Sequence, residues 1–175
     1  MRDALEIQTC TAADADEISE VAIKSYKDYY LYLWNDDGSW YINRSFLPAT
    51  LKEEITNPNA RFYSLRAAGE TIGFMKLNLQ QPLAGTAYTN AMELERIYIV
   101  KAFAGMGFGR QAVEFCTQLA NHMNKEIVWL KSMDSSSAIS FYERLGFEEC
   151  GSFRLDYSLM KPEFRGMKIL MKKLR

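Results

Sequence analysis

The chain has 175 residues, 48% of them apolar, and this length predicts a single domain over residues 1–175 with enough chain to bury a core. The apolar content excludes intrinsic disorder, and no apolar run approaches the roughly 18 residues that a membrane span requires. A net charge of −1 argues against a nucleic-acid-binding protein, although residues 151–175 hold seven Lys or Arg against two Asp or Glu, so a basic tail follows an acidic body.

Hydrophobic periodicity predicts alternating strands and helices along the whole chain. The predicted elements of the first half are a strand over 5–10, a helix from a capping-box start at 11–14 to residue 33, a loop over 34–40, a weaker helix over 47–55, and hairpin strands over 61–66 and 71–79. Those of the second half are a strand over 92–100, a helix over 110–124, a strand over 126–133, a short helix over 135–145, and extended segments over 153–159 and 168–174. This order is typical of a mixed α/β domain.

Three glycines, Gly105, Gly107 and Gly109, lie where a predicted strand opens into a helix. Unpaired amide groups and the helix dipole converge at such a turn, and glycines let a phosphate approach the backbone closely. The spacing fits neither the GxGxxG dinucleotide motif nor the P-loop. Taken alone, the three glycines fit a simple tight turn equally well.

A second motif, Ser-Ser-Ser-Ala-Ile-Ser-Phe-Tyr-Glu-Arg-Leu-Gly-Phe, follows about 30 residues later at 135–147. Together with the strand order, the two motifs resemble those of the GCN5-related N-acetyltransferase (GNAT) superfamily. Its first signature is [Gln/Arg]xxGxGx[Gly/Ala], and its second is Asn-x-x-Ala-x-x-[Phe/Leu]-Tyr-x-x-x-Gly-Phe. The resemblance implies a GNAT fold, an α/β architecture with about seven mixed strands flanked by about four helices, and acetyl-CoA as co-substrate.

Two positions depart from these signatures. Ala104 stands where the first motif usually has Gln or Arg, which removes one side-chain contact to phosphate. Ser135 replaces the Asn of the second motif, so a contact to the pantetheine arm is expected to be weaker, shifted or water-mediated.

The resemblance also implies how the co-substrate is held. The backbone of the predicted strand over 92–100 would pair with the pantetheine arm, and a bulge in that strand would offer an amide to the thioester oxygen. The glycine-rich turn would bind the pyrophosphate. The implied contacts are Ile97, Tyr98, Ile99, Gly105, Met106, Gly107, Phe108, Gly109, Arg110 and Ser135.

Acetyl transfer to an amine requires a base, because an alkylamine is almost entirely protonated at pH 7. Glu93 matches the position of the catalytic glutamate in some GNAT members, and Glu95, two residues on, is expected on the same strand face. Either could serve, and Glu93 is preferred; both could instead be solvated charges. Arg96 is expected on the opposite face in a structural ion pair. Tyr142 matches the tyrosine that protonates the leaving thiolate, or it is a core residue.

The acceptor is expected to be a small cationic amine. Aromatic faces beside carboxylates suit such a ligand, and Tyr30, Trp34, Asp36 and Asp37 are the proposed contacts. Residues 94–99 and the chain length also resemble the bacterial spermine/spermidine acetyltransferases, so a polyamine is the specific hypothesis. The alternative for these residues is structural, with the tyrosines packed in the core and the aspartates forming a turn in a loop. The alternatives are acetylation of a protein N-terminus or lysine, and a non-catalytic acyl-CoA-binding protein.

Three cysteines without CxxC spacing and the single His122 predict neither a disulfide framework nor a metal site. The N-terminus lacks the apolar region of a signal peptide. We therefore expect a cytoplasmic protein without a metal, for which neither nucleic acid nor membrane is a partner. Because edge strands of this fold often pair, a homodimer is one expected state.

Overall fold

One mixed β-sheet organises residues 4–174, the part of the chain that the computed structural model describes. Its strands are β1 (Glu6–Thr9), β2 (Ala60–Ala67), β3 (Glu70–Asn78), β4 (Ala91–Ile99), β5 (Ile127–Met133), β6 (Glu148–Arg154) and β7 (Gly166–Lys173). The α-helices are α1 (Ala15–Tyr29), α2 (Ser39–Ser45), α3 (Pro48–Thr56), α4 (Phe108–His122) and α5 (Ala138–Arg144). These seven strands and five helices confirm the predicted α/β class.

The strand order is β1-β2-β3-β4-β5-β7-β6. All neighbouring strands are antiparallel except β4 and β5, which are parallel. The parallel pair contains only three residue pairs, the last of them Glu93 with Trp129, although β4 continues to Ile99 and β5 to Met133. The two strands therefore separate beyond Glu93 in the middle of the sheet.

Helices cover both faces of the sheet beside this separation. Tyr98 of β4 packs against Tyr26 of α1, with ring centroids 6.1 Å apart. The next residue, Ile99, lies against Gly109 of α4. Because successive strand residues point to opposite faces, α1 and α4 pack on opposite sides of β4. Among residues 4–174, no helix is both long and apolar enough to cross a membrane.

The expected loop over residues 34–40 is shorter than predicted, because α2 begins at Ser39. Its start depends on Gly38, whose φ of 79° lies in the left-handed region. The Asp36 carboxylate accepts hydrogen bonds from the amides of Gly38 and Trp40, at 3.1 and 2.8 Å. This Asx-type turn starts a short helix that periodicity alone cannot reveal.

Candidate active site

The separation of β4 and β5 opens a cavity of about 470 Å³. Residues 94–98 of β4 line one side of it, and Lys131, Ser132 and Met133 of β5 line the other. Within residues 4–174, the edge of β4 that faces away from β3 has no strand partner beyond Glu93, whereas its other edge remains paired with β3 as far as Ile99. An extended ligand can therefore lie along β4 as an additional strand, using its free backbone groups.

A β-bulge at Glu95 shapes the wall of this cavity. Arg96 pairs with Lys76 and Leu94 with Leu77, so Glu95 is an extra residue in β4. The bulge brings both Glu95 and Arg96 to the cavity lining. The expectation that Arg96 points to the opposite face is thus wrong, because strict alternation fails at a bulge. Arg96 does form ion pairs, at 3.1 Å to Glu54 and 3.5 Å to Glu95.

Glu93 lies just below the point of separation and does not line the cavity. Its side chain is buried, and one carboxylate oxygen lies 3.1 Å from the Lys131 ammonium. The other oxygen accepts a hydrogen bond from the Asn78 amide at 2.8 Å, and that same amide group donates to Glu95 at 2.7 Å. Glu93 and Glu95 are therefore neighbours on one face, but only Glu95 reaches the open space.

The Glu95 carboxylate is held by positive charge. Lys76 lies 2.8 Å from one of its oxygens, and Arg96 contacts the other. Burial by itself raises the pKa of the Glu95 carboxyl, but Arg96, Lys76 and Asn78 outweigh burial and hold that pKa below its usual range. Glu95 is therefore ionised at neutral pH and can accept a proton or attract an ammonium group.

Tyr142 of α5 also lines this cavity. Its side chain is buried beside Phe141 and Phe147. Burial raises the pKa of the Tyr142 hydroxyl well above its ordinary value, so it stays protonated at neutral and mildly alkaline pH. The structure thus brings a carboxylate and a protonated phenol, Glu95 and Tyr142, to one cavity.

The glycine-rich turn precedes α4 as predicted, and α4 begins at Phe108. Gly105 and Gly107 both have positive φ, 75° and 87°. No hydrogen bond among residues 4–174 uses the amides of residues 105–107, and the first-turn amides of α4, residues 108–110, have no partner within the helix. Six consecutive unpaired amides at a helix N-terminus form a cradle for an anionic group such as a pyrophosphate.

Two other predicted contacts to the co-substrate have protein partners. Arg110 is exposed, and its Nε donates to Glu114 at 2.7 Å, one turn along the helix. The Ser135 hydroxyl lies 3.3 Å from the Tyr32 hydroxyl, and Ser136 rather than Ser135 lines the cavity.

The predicted acceptor contacts divide into two groups. Tyr30 and Trp34 line the cavity, where the buried Trp34 indole donates to the Tyr26 hydroxyl at 2.7 Å. Asp36 and Asp37 lie outside the lining, because Asp36 caps α2 and Asp37 occupies the adjoining turn with a φ of 54°. The Asp36 carboxylate, expected to hold a cationic acceptor, is thus used for local structure, and neither aspartate lines the cavity.

Sequence reasoning missed several residues of the cavity wall. They are Tyr41 and Arg44 of α2, Glu54 of α3, Lys131 of β5 and Tyr157, which follows β6. A lysine inside an apolar strand, as in Trp-Leu-Lys131-Ser, is a signal that could have identified Lys131. Arg44 carries no such signal, because it lies between the predicted loop over 34–40 and the predicted helix over 47–55, where no element is predicted.

One wall of the cavity is closed by contact between two distant segments. Trp34 and Met160 form an isolated β-bridge. On either side of it, Lys161 donates to the Leu33 carbonyl at 2.8 Å and Asn35 donates to the Leu159 carbonyl at 2.9 Å. Leu33, Trp34 and Met160 are fully buried and line the cavity. This side therefore offers no open groove for a long polymer.

Comparison with known proteins identifies the class to which this fold and site belong. The profile of the Acetyltransferase (GNAT) family matches residues 20–147. An uncharacterized N-acetyltransferase in the pepI 3′ region of Lactobacillus delbrueckii subsp. lactis is 28% identical over 148 residues, which cover 81% of this chain and 83% of that protein. These two matches show that the sequence similarity extends over most of the chain.

Solved structures show the same fold. PaiA N-acetyltransferase from Thermoplasma acidophilum, in complex with coenzyme A, superposes with a TM-score of 0.77 at 21% identity, covering 98% of this chain and 99% of that chain. Ribosomal-protein-alanine N-acetyltransferase from Brucella melitensis gives a TM-score of 0.73 at 18% identity, covering 97% and 99%.

The chain belongs to the GNAT acetyltransferase family. It is an acetyl-CoA-dependent N-acetyltransferase, as the two sequence motifs predict. The family and the fold inferred from those motifs are confirmed.

Proposed function

We propose that this enzyme transfers the acetyl group of acetyl-CoA directly to a small primary amine bound in the cavity between β4 and β5. The observation that carries the proposal is the single cavity whose walls present an ionised Glu95 and a protonated Tyr142. Direct transfer needs a proton acceptor near the amine and a proton donor near the leaving sulfur, and these two groups have the matching protonation states.

The free edge of β4 and the glycine-rich turn support a binding mode for acetyl-CoA. The pantetheine arm would lie along Ile97, Tyr98 and Ile99, whose β3-facing edge is already paired. The pyrophosphate would lie on the unpaired amides of residues 105–110. Backbone donors make this mode independent of the Gln or Arg of the family signature, a position that counts back from Gly105 to Ala102 and not to Ala104. In this mode, the Arg110 Nε stays with Glu114, and the terminal nitrogens of the guanidinium would be the ones to contact phosphate.

The first chemical step forms the new amide bond. Glu95, directly or through a water molecule, takes a proton from the ammonium form of the acceptor, and the nitrogen lone pair attacks the thioester carbonyl carbon. The carbonyl π electrons move to oxygen, and a backbone amide at the bulge in β4 would stabilise the resulting oxyanion. Asn78, Lys76 and Arg96 fix the position of the Glu95 carboxylate in this step. We assign the base to Glu95 in preference to Glu93, because only Glu95 lines the cavity.

The second step expels coenzyme A. As the oxyanion re-forms the carbonyl, the carbon–sulfur bond breaks with its electron pair going to sulfur, and Tyr142 donates its hydroxyl proton to the thiolate. Glu95 gives its first proton to solvent and takes the second from the attacking nitrogen, which leaves a neutral amide, and solvent returns a proton to the Tyr142 phenolate.

The cavity supports a small acceptor over a protein. The hydrogen-bonded contact between residues 33–35 and 159–161 closes the side along which an extended polypeptide would pass. A volume of about 470 Å³ is in the usual range for small-molecule sites. A polyamine remains the specific hypothesis from the sequence, but Asp36 and Asp37 do not line the cavity in which it would bind.

The experiment is release of coenzyme A thiol from acetyl-CoA with a panel of polyamines, amino acids, monoamines, aminoglycosides and an N-terminal peptide. We expect turnover with at least one small amine and none with the peptide. Tyr142→Phe should lower kcat about 100-fold with that amine and leave the Kd for acetyl-CoA unchanged. Binding of acetyl-CoA without turnover of any amine would support the non-catalytic alternative, and preferred turnover of the peptide would support a protein acceptor.

A further inference from the structure

The charged side chains of the cavity wall are paired, with one exception. Arg96 contacts Glu54 and Glu95, and Lys131 contacts Glu93. The nearby Lys76 also contacts both Glu54 and Glu95, each at 2.8 Å. Three carboxylates therefore neutralise three cations in this network.

Arg44 of α2 is the exception. It lines the cavity and is exposed, and no carboxylate among residues 4–174 forms an ion pair with it. With the other charges balanced, the wall carries one excess positive charge at this position. A polycationic acceptor would place further positive charge beside it, whereas an anionic group would neutralise it.

Aromatic rings hold the Arg44 guanidinium in place. It lies 5.2 Å from the ring centroid of Trp40 and 5.7 Å from that of Tyr157. Such contacts limit the motion of the guanidinium, and no hydrogen bond within residues 4–174 uses its N–H groups, which stay available to a ligand. A planar fork of donors with restricted motion is the arrangement that binds a carboxylate through two parallel hydrogen bonds.

We infer that the acceptor amine also carries a carboxylate group, which Arg44 binds while the amino group lies between Glu95 and Tyr142. This inference rests on the proposed function and names its substrate class: an amino acid or a similar small amino-carboxylic acid. Each charge of the acceptor then meets a wall residue of opposite charge: the ammonium group meets Glu95, and the carboxylate meets Arg44. Aromatic side chains, among them Tyr41 and Tyr157, line the same cavity.

The test compares amino acids with the amines that remain when their carboxylate is removed. Suitable pairs are tyrosine with tyramine, lysine with cadaverine, and γ-aminobutyrate with propylamine, together with spermidine. We expect kcat/KM for the acid of the preferred pair to exceed that of its partner by about 10- to 100-fold, the usual effect of a charge-assisted hydrogen bond. Arg44→Gln should bring this ratio close to one, mainly through KM, and Arg44→Lys should retain part of it.

Arg61→Gln is the matched control, because Arg61 is an exposed arginine of β2 that does not line the cavity. This variant should keep both the ratio and the individual rates. Equal or faster turnover of the decarboxylated amines or of spermidine would overturn the inference and uphold amine acetylation. An unchanged ratio in Arg44→Gln would also overturn it.

A binding measurement separates this inference from the proposed function. In the presence of coenzyme A, the preferred carboxylate amine should raise the Tm of the wild-type protein and not that of Arg44→Gln. If no amine releases coenzyme A but this Arg44-dependent rise is present, the proposed catalysis fails and carboxylate recognition stands. If both are absent, both conclusions fail.

Discussion

Glu93 and Glu95 accept hydrogen bonds from the same Asn78 amide group, but they have different surroundings. Glu93 is buried against Lys131, below the point where β4 and β5 separate. Glu95 occupies the bulge and faces the cavity. A carboxylate can act as a base only where its oxygen reaches the proton that it removes, so position decides between them.

At the residue scale we therefore predict that Glu95→Gln is the more damaging of two isosteric changes. Loss of the base should lower kcat by about 100- to 10,000-fold. Glu93→Gln weakens an ion pair without touching the cavity, so we expect it to lose less than about tenfold. Steady-state kinetics with the preferred amine measures both values, and the Kd for acetyl-CoA controls for a misfolded site. The opposite ranking would return the base to Glu93.

Site residues could be predicted from the sequence where they belong to a contiguous motif, and could not where their role depends on an element that the sequence pattern does not reveal. Tyr142 and the glycine-rich turn belong to contiguous motifs, so their place in the chain could be read directly. The roles of Asp36 and Arg44 depend on α2, a seven-residue helix started by a turn. Without that helix, Asp36 resembles a cation ligand and Arg44 a surface charge, whereas the structure makes Asp36 a cap and brings Arg44 to the cavity.

At the scale of elements, the cavity is a property of two strands that separate, and this could not be predicted from either strand alone. The periodicity of β4 and β5 predicts both strands, but parallel pairing between distant segments has no local signal. The bulge at Glu95 likewise arises from pairing with β3. Strict alternation therefore assigned Arg96 to the wrong face while identifying the strand correctly.

The glycine-rich turn leads to a prediction that separates binding from folding. Gly107 and Gly85 both have positive φ, 87° and 75°, and a Cβ at either position would meet nothing within 4 Å. Changing either to Ala should therefore cost a similar free energy of unfolding, roughly 1–2 kcal/mol, for the left-handed backbone. Only Gly107→Ala disturbs the amides that precede α4, so only this variant should weaken acetyl-CoA binding, by about tenfold.

Isothermal titration with acetyl-CoA and urea unfolding of the two variants check this prediction. Equal loss of affinity in Gly85→Ala would mean that general destabilisation, not the geometry of the turn, sets the affinity. Unchanged affinity in Gly107→Ala would argue that phosphate binding does not use these amides.

At the scale of the whole molecule, the basic tail has a structural use that its net charge does not reveal. Arg154 donates to the Pro162 carbonyl, Arg165 to the Met160 carbonyl, and Lys172 to the Leu145 carbonyl. Lys168 pairs with Glu149 of the neighbouring strand. These contacts join β6, β7 and the end of α5, so the excess charge stabilises the half of the sheet beyond the cavity.

The other charge property of the whole molecule is the ionisation of its buried cysteine thiols and tyrosine hydroxyls, which are weak acids. Burial raises the pKa of Cys10 and Cys116 to about 12, and it also raises the pKa of Tyr26, Tyr98 and Tyr142. In the unfolded chain these groups release protons near their ordinary pKa values, about 8.5 for Cys and 10 for Tyr. The unfolded state therefore binds fewer protons than the folded state above pH 8.5, and the free energy of unfolding must fall as pH rises.

We predict that these groups make their full contribution to the free energy of unfolding below about pH 8, and that this contribution is progressively lost between pH 8.5 and 11. Each buried thiol can contribute up to about 1.4 kcal/mol per pH unit once its unfolded-state pKa is passed. Cys116→Ala should lower stability at pH 7, because it removes a fully buried side chain, but reduce the slope above pH 8.5. Urea unfolding at pH 7, 8, 9 and 10 measures the slope, with Cys150→Ala as the exposed-thiol control. Equal slopes in Cys116→Ala and the wild type would show that the Cys116 thiol ionises as readily in the folded protein as in the unfolded chain.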